Sequence, residues 1–287
     1  MKTVITILAD NCVSRTGLIG EHGFSALIEK GDEKFLFDTG PGASLPHNTK
    51  KLEKDLRHLD KIVISHGHYD HTGGLKWAIQ RSGEKTEVVA HPNIFAQHMV
   101  RNPGEAPKYW GCPFTREELE ESGAQFNMID RTSEISPGMW FITGIDLMPK
   151  EVPVDARLVI LQEAQYVLDP IEDDASLLMD CEGSALLVLG CAHSGILNIL
   201  DHVENKMGIK KLQAVVGGTH LKYFDAIDLS RVIERLESLS VDLIGVSHCT
   251  GQQAAAGLAA HFGDRFMSAS TGMVFEFYKE ITHARKA

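Results

Sequence analysis

The chain has 287 residues, of which 43% are hydrophobic, and 28 Lys and Arg against 39 Asp and Glu leave a formal charge of -11. That is enough material for a sizeable core, but an acidic balance argues against an electrostatic grip on nucleic acid or an anionic membrane, both of which need a basic face. A small-molecule substrate is favoured. The five cysteines at 12, 112, 181, 191 and 249 form no CxxC pair, so neither a disulfide framework nor a thiolate zinc knuckle is expected, and a reducing cytoplasm fits.

In chain order, residues 3–8 are apolar but short, broken by Thr6 and closed by Asp10, which suits a first strand better than a signal peptide. No segment approaches the roughly 18 uninterrupted apolar residues of a membrane span. Strands are predicted at 24–29 and 34–37, with Gly31-Asp32 as the hairpin turn. A polar helix over 48–58, a buried strand at 62–64, a helix over 74–81 and a strand at 86–90 follow. From 92 to 176 prolines and aromatics change the texture, and this stretch reads as an inserted or covering region of a single domain. Within it, Thr115 and Glu118 form a capping-box signal for a helix, the aromatics read as local core, and Glu172-Asp173-Asp174 reads as a solvated loop. The last third alternates: strand 185–189, helix 196–206, strand 212–216, helix 229–238, strand 243–246, helix 252–261 and strand 272–278. Such alternation predicts α/β layering with helices covering sheet.

The chemistry concentrates in His66-Gly67-His68-Tyr69-Asp70-His71, directly after an apolar strand. Imidazole nitrogen and carboxylate oxygen are the usual ligands of a zinc-like dication that does chemistry. In an extended turn residues i and i+2 point the same way, so His66 and His68 can close on one ion while Asp70 and His71 face a neighbouring position; a two-metal centre follows. A merely histidine-rich surface loop is the bland alternative, but it would not place an acid among the imidazoles or set Gly67, Gly73 and Gly74 to fold the backbone tightly.

Three more buried strands end in histidine, at His193, His220 and His248. One such residue would read as a hydrogen-bonded core histidine. Four strand ends carrying imidazoles suggest convergence, because ligands in layered α/β proteins gather beyond the carboxyl ends of strands. Small or hydroxyl residues follow at Thr72-Gly73-Gly74, Ser194-Gly195 and Thr250-Gly251, and the helix starts expected there have amides suited to an anion such as phosphate or carboxylate.

This pattern of HxHxDH at 66–71, then His193, then His248, resembles the metallo-β-lactamase superfamily nearly end to end. The resemblance implies an αββα four-layer sandwich with a dinuclear site at one edge. It further implies that His66, His68 and His193 hold one ion and Asp70, His71 and His248 the other, with one or two zinc ions expected and manganese or iron as the other candidates. Leu36-Phe37-Asp38-Thr39-Gly40 looks like the superfamily's early Asp-Thr-Gly element, which gives Asp38 a supporting role behind the ligands. Most relatives place a bridging Asp, and some β-lactamases a Cys, after the strand between the last two histidines; here His220 stands there. A neutral imidazole cannot bridge two cations as a carboxylate does, so His220 binds one ion, acts as acid or base, or contacts substrate. Asp70 and His220 are the candidate catalytic residues.

The segments around Glu21-His22-Gly23-Phe24, Gly190-Cys191-Ala192-His193-Ser194-Gly195, Gly217-Gly218-Thr219-His220 and His248-Cys249-Thr250-Gly251 are similar to the dihydropteroate-synthase-like branch. Its characterised archaeal activity joins a dihydropterin pyrophosphate to a ribofuranosylaminobenzene phosphate. The resemblance therefore implies a metal-dependent hydrolase or transferase on a small phosphate-bearing or pterin-like substrate, using metal-activated water or a metal-stabilised leaving group, with His22 as a candidate pocket residue. The rival readings are an iron-dependent redox enzyme on the same scaffold and a non-catalytic metal-binding protein. Nuclease activity suits the acidic charge poorly.

Overall fold

A computed structural model describes residues 2–181, 184–278 and 281–286. Among the described residues, two large sheets face each other. The first, in spatial order, is Ile281–Lys286, Met273–Tyr278, Thr3–Ala9, Ser25–Lys30, Glu33–Phe37, Lys61–Val63, Thr86–Ala90 and Ala124–Met128. The second is Phe266–Ser268, Leu243–Ser247, Leu212–Gly218, Ala185–Leu189, Ser176–Asp180, Met139–Ile142 and Ser133–Ser136.

Period-two alternation explains why these strands read as continuous apolar runs. Phe35, Phe37, Val63, Leu186, Val188 and Val216 face the layer between the sheets, whereas Leu36, Ile62, Leu187, Leu189 and Val215 face outward. The outward faces are also buried. Helices Ser44–Lys51, Leu75–Ser82 and Arg116–Glu121 contribute to the core outside the first sheet, and Ile196–Asn205, Ala226–Ser238 and Gln252–Phe262 to the core outside the second. Strands buried on both faces need no polar side. The result is a four-layer αββα sandwich. Truncating Phe37 in the central layer to Ala would cost about 3–5 kcal/mol.

Both sheets contain a parallel block. Lys61–Val63 runs parallel to Glu33–Phe37 and to Thr86–Ala90, and Ala185–Leu189, Leu212–Gly218 and Leu243–Ser247 are mutually parallel in series. The carboxyl ends of the second block are in register, with Leu189 opposite Gly217 and Gly217 opposite Val246. The segments carrying His193, His220 and His248 therefore leave from one edge.

The helix expected over 48–58 is displaced: it spans Ser44–Lys51. Glu53 adopts φ 55°, and its neighbour Lys54 donates to Thr49 O at 2.9 Å; a left-handed residue closing the last turn in this way is a helix stop. The Thr115 capping box is present as expected, with Glu118 N donating to the Thr115 hydroxyl at 3.2 Å and Thr115 N to Glu118 Oε2 at 2.9 Å.

Residues 92–176 contribute to both large sheets and also form a third, of Gln165–Leu168, Leu158–Gln162, Met99–Val100 and Lys108–Tyr109. Glu172-Asp173-Asp174 is a correction to the sequence reading, because Asp173 and Asp174 are buried. Asp173 Oδ2 accepts from Gly67 N at 2.6 Å and Asp174 Oδ2 from Ser194 N at 2.8 Å. Two loop amides beside the histidines turn inward, and the acids satisfy them. A run of acids looks solvated in sequence because it does not reveal which amides it faces.

Candidate metal centre

The strand ends bring the predicted histidines together. The His66 ring centroid lies 4.2 Å from that of His71 and 4.8 Å from that of His193, and His71 is 5.1 Å from His248. His66 Nε2 and His68 Nδ1 are 3.0 Å apart. One donor atom each from His66, His68 and His193 falls within 4.8 Å of the others, as does one each from His22, Asp70 and His248. Asp70 Oδ2 is 3.7 Å from His71 Nε2 and 3.6 Å from His22 Nε2.

Asp38 organises the far side of these rings. Its Oδ1 accepts from Ser65 N at 2.7 Å; its Oδ2 accepts from the Ser65 hydroxyl at 2.7 Å and meets His71 Nδ1 at 2.6 Å. The Ser65 hydroxyl gives its only proton to Asp38, so at the 2.8 Å contact with His66 Nδ1 it accepts. His66 and His71 thereby carry their protons on Nδ1 and turn Nε2 toward the site. Gly190 makes this junction possible, since a Cβ there would collide with the Ser65 side chain.

Burial, reinforced by neighbouring imidazoles, holds His66, His68 and His193 well below the usual histidine range, so they are neutral donors at pH 7. Burial also acts to lower His71, but the Asp38 and Asp70 carboxylates outweigh it and carry the group up to about 9. Burial lifts Asp174 to about 6, although the Ser194 amide pulls the other way.

His68 Nε2, Asp70 Oδ1, His193 Nε2, His220 Nδ1 and His248 Nδ1 are buried without a hydrogen-bond partner. Orphan polar atoms of this kind are costly. Their concentration among nitrogen and oxygen donors fits a divalent cation. Three non-glycine residues here also occupy the left-handed region: Asp38 at φ 57°, Ala192 at 59° and His220 at 52°. Strain of this sort gathers where a backbone must aim a side chain.

His220 reaches the cluster from the His193 side, with ring centroids 4.3 Å apart, and its other face stacks on Tyr223 at 5.2 Å. His22 lies at the mouth, half exposed and edge-on to His248 at 5.1 Å. Both line a cavity of about 200 Å³ above the histidines.

Sequence reasoning missed several residues here. Cys191 is buried, with Sγ 3.3 Å from His71 Nε2 and 3.1 Å from His248 Nε2, and burial pushes its thiol well above the usual range. Asp10 accepts from His248 N at 2.9 Å; its place just after an apolar strand, like that of Asp38, was an available signal. His98 gave none: it packs on His68 at 5.0 Å, and its Nδ1 meets Asp169 Oδ2 at 2.7 Å. The same cavity is also lined by Trp110, Lys108, Arg157 and Lys222. Arg157 pairs with Asp155 at 2.6 Å and Lys108 with Glu105 at 2.8 Å, while the Lys222 ammonium lies 4.9 Å over the Tyr223 ring.

The turns that lead into the expected helix starts are internally hydrogen-bonded. The amides of Thr72, Gly73, Gly74, Gly195 and Thr250 already donate to backbone carbonyls, and that of Ser194 to Asp174. The chain closes these tight turns on itself.

The sandwich with its cluster of histidines at one edge is a metallo-β-lactamase-type fold, and residues 18–143 match the model of the metallo-β-lactamase superfamily. A solved metal-dependent hydrolase of the β-lactamase superfamily superposes with a TM-score of 0.78 at 25% identity, covering 99% of this chain and 100% of that one. In sequence over residues 18–143, and in fold over nearly its whole length, the chain is similar to the metallo-β-lactamase superfamily. It is 29% identical over 282 residues to the 7,8-dihydropterin-6-methyl-4-(β-D-ribofuranosyl)-aminobenzene-5'-phosphate synthase of Methanocaldococcus jannaschii, covering 96% of each chain. It is also 28% identical over 257 residues to an uncharacterised protein of the same organism, covering 89% of this chain and 94% of that one.

Proposed function

We propose that the chain is a metal-dependent hydrolase or transferase acting on a small phosphate-bearing, pterin-like substrate. The observation that carries this reading is a cavity of about 200 Å³ lined both by the histidine cluster and by Lys108, Arg157 and Lys222. In this reading His66, His68 and His193 hold one divalent cation and Asp70, His71 and His248 a second, zinc being favoured by the donor set and manganese or iron being the alternatives. Such ions supply Lewis acidity toward an ester or phosphoryl oxygen and bring the pKa of water toward neutrality.

The chain's own residues divide the remaining work. Asp38 and Ser65 fix the tautomers of His71 and His66. Lys222, with the already paired Arg157 and Lys108, holds the substrate phosphate. Trp110 offers a flat apolar wall for a ring. His220, on the cavity wall, is the candidate for proton transfer to or from substrate. Similarity to the archaeal synthase supports the transferase form and a pterin-type ring. Among the described residues the cysteines form no disulfide, which suits the reducing cytoplasm to which we assign the protein.

Metal analysis of the purified protein, paired with assays on simple phosphate esters and on a dihydropterin pyrophosphate with an aminobenzene phosphate acceptor, tests the reading. Turnover should vanish on chelation and return on adding zinc or manganese. Undiminished turnover in the metal-free protein would sink it.

A further inference from the structure

Building on the two-ion reading above, we infer that Cys191 supplies the ligand shared between the ions, as a bridging thiolate, in place of the carboxylate that His220 displaces. Cys191 sits two residues before His193, beyond the carboxyl end of Ala185–Leu189, and is 2% exposed. Its sulfur is 3.3 Å from His71 Nε2 and 3.1 Å from His248 Nε2, the two imidazoles of the second ligand set. The same residue forms donor trios within 4.8 Å with His66 and His71, and with His193 and His220. One sulfur therefore reaches donors of both sets.

The spacing suits shared coordination. A tetrahedral zinc-like ion with nitrogen at about 2.05 Å and sulfur at about 2.3 Å separates those two ligand atoms by roughly 3.5 Å. The observed contacts of 3.1 and 3.3 Å lie within a few tenths of that. A single sulfur atom meets both nitrogens, which is the arrangement that shared coordination requires. His71 cannot swing away, since its Nδ1 is held by Asp38 at 2.6 Å.

The chemistry also favours sulfur over imidazole. A thiolate has lone pairs enough for two cations and is the form that binds metal, whereas each imidazole nitrogen has a single in-plane pair. Loading releases the S–H proton to solvent as the sulfur–metal bonds form. Cys249 is the rival ligand, because it forms a donor trio with Cys191 and His248 within 4.8 Å, although its thiol also lies 3.6 Å from Cys191 O.

X-ray absorption on the zinc-loaded wild-type protein is the direct test. It should give a sulfur shell at about 2.3 Å, and the cobalt(II)-loaded protein an intense near-ultraviolet sulfur-to-metal band. Both signals should persist in Cys249→Ser and disappear in Cys191→Ser, which should also bind its second ion at least tenfold more weakly. Two bound ions with only nitrogen and oxygen scattering in the wild type would overturn the assignment and leave the metal centre standing. Retention of the sulfur signals by Cys191→Ser, or a Cys191–Cys249 disulfide in the intact mass of the loaded protein, would overturn it as well. If the wild-type chain takes up no ion, the metal reading itself falls and this inference with it.

Discussion

The floor and the wall of the cavity are built by different rules. The floor hangs on buried strand ends, and its side chains are held from behind: Asp38 serves Ser65 and His71, and Ser65 serves His66. The remaining lining comes from the small sheet and its neighbouring loops, where Lys108 and Arg157 are exposed and paired with local acids, and from Lys222 two residues beyond His220. In the proposed function, rigid packing at the floor fixes where chemistry happens and the wall selects what is brought to it. Exposed ion pairs are individually weak, so the wall can vary at little cost to the fold.

The contrast can be broken hardest at the floor. His66→Ala should lower kcat/KM by more than about a thousandfold and take metal content down with it; a variant retaining both would remove His66 from the centre. The next effect is on stability, where floor and wall join. His98 is lowered by burial, but its hydrogen bonds and charge pairing with Asp169 and Asp173 outweigh this and lift it to about 10. A group raised in the folded state gives stability that is fully present below its unfolded pKa of about 6.5 and is lost as pH rises through the folded value. His98→Gln should therefore cost roughly 3 kcal/mol near pH 6, with the two unfolding curves converging toward pH 10. Parallel curves across that range would show that charge pairing is not the cause.

Smaller changes sharpen the same comparison. Asp38→Asn leaves the shape but weakens the hold on His71, and metal affinity should fall by about 10- to 100-fold, as read by competition with a chromogenic chelator. On the wall, Lys222→Ala should raise KM about tenfold with kcat nearly unchanged, the signature of lost ground-state binding. A fall in kcat alone would assign Lys222 to the chemical step instead.

How much of this was legible in the sequence follows the same division. Strands buried on both faces announce themselves as apolar runs, and a histidine closing each of four runs revealed the floor before any coordinates. The small sheet did not show, because Met99–Val100 and Lys108–Tyr109 have two residues each, and Gln165–Leu168 is exposed throughout; no period can emerge from that. Asp173 and Asp174 were misread because charge in a sequence does not say which amide it will meet. Cys191 escaped notice for a topological reason. Although it stands two residues before His193, its imidazole neighbours His71 and His248 lie 120 and 57 residues away in the chain, so the local segment does not show what its sulfur meets.

The shared carboxylate oxygen of Asp38 has a consequence for how mutations combine. The proposed two-ion assignment puts His66 in one ligand set and His71 in the other, yet both report to that oxygen, the first through Ser65 and the second directly. Changes at Ser65 and His71 should be epistatic: once Asp38 has lost one partner its orientation is already compromised, and losing the second adds less than its separate effect. The array then behaves as a single heritable unit, open to wholesale replacement and resistant to piecemeal drift.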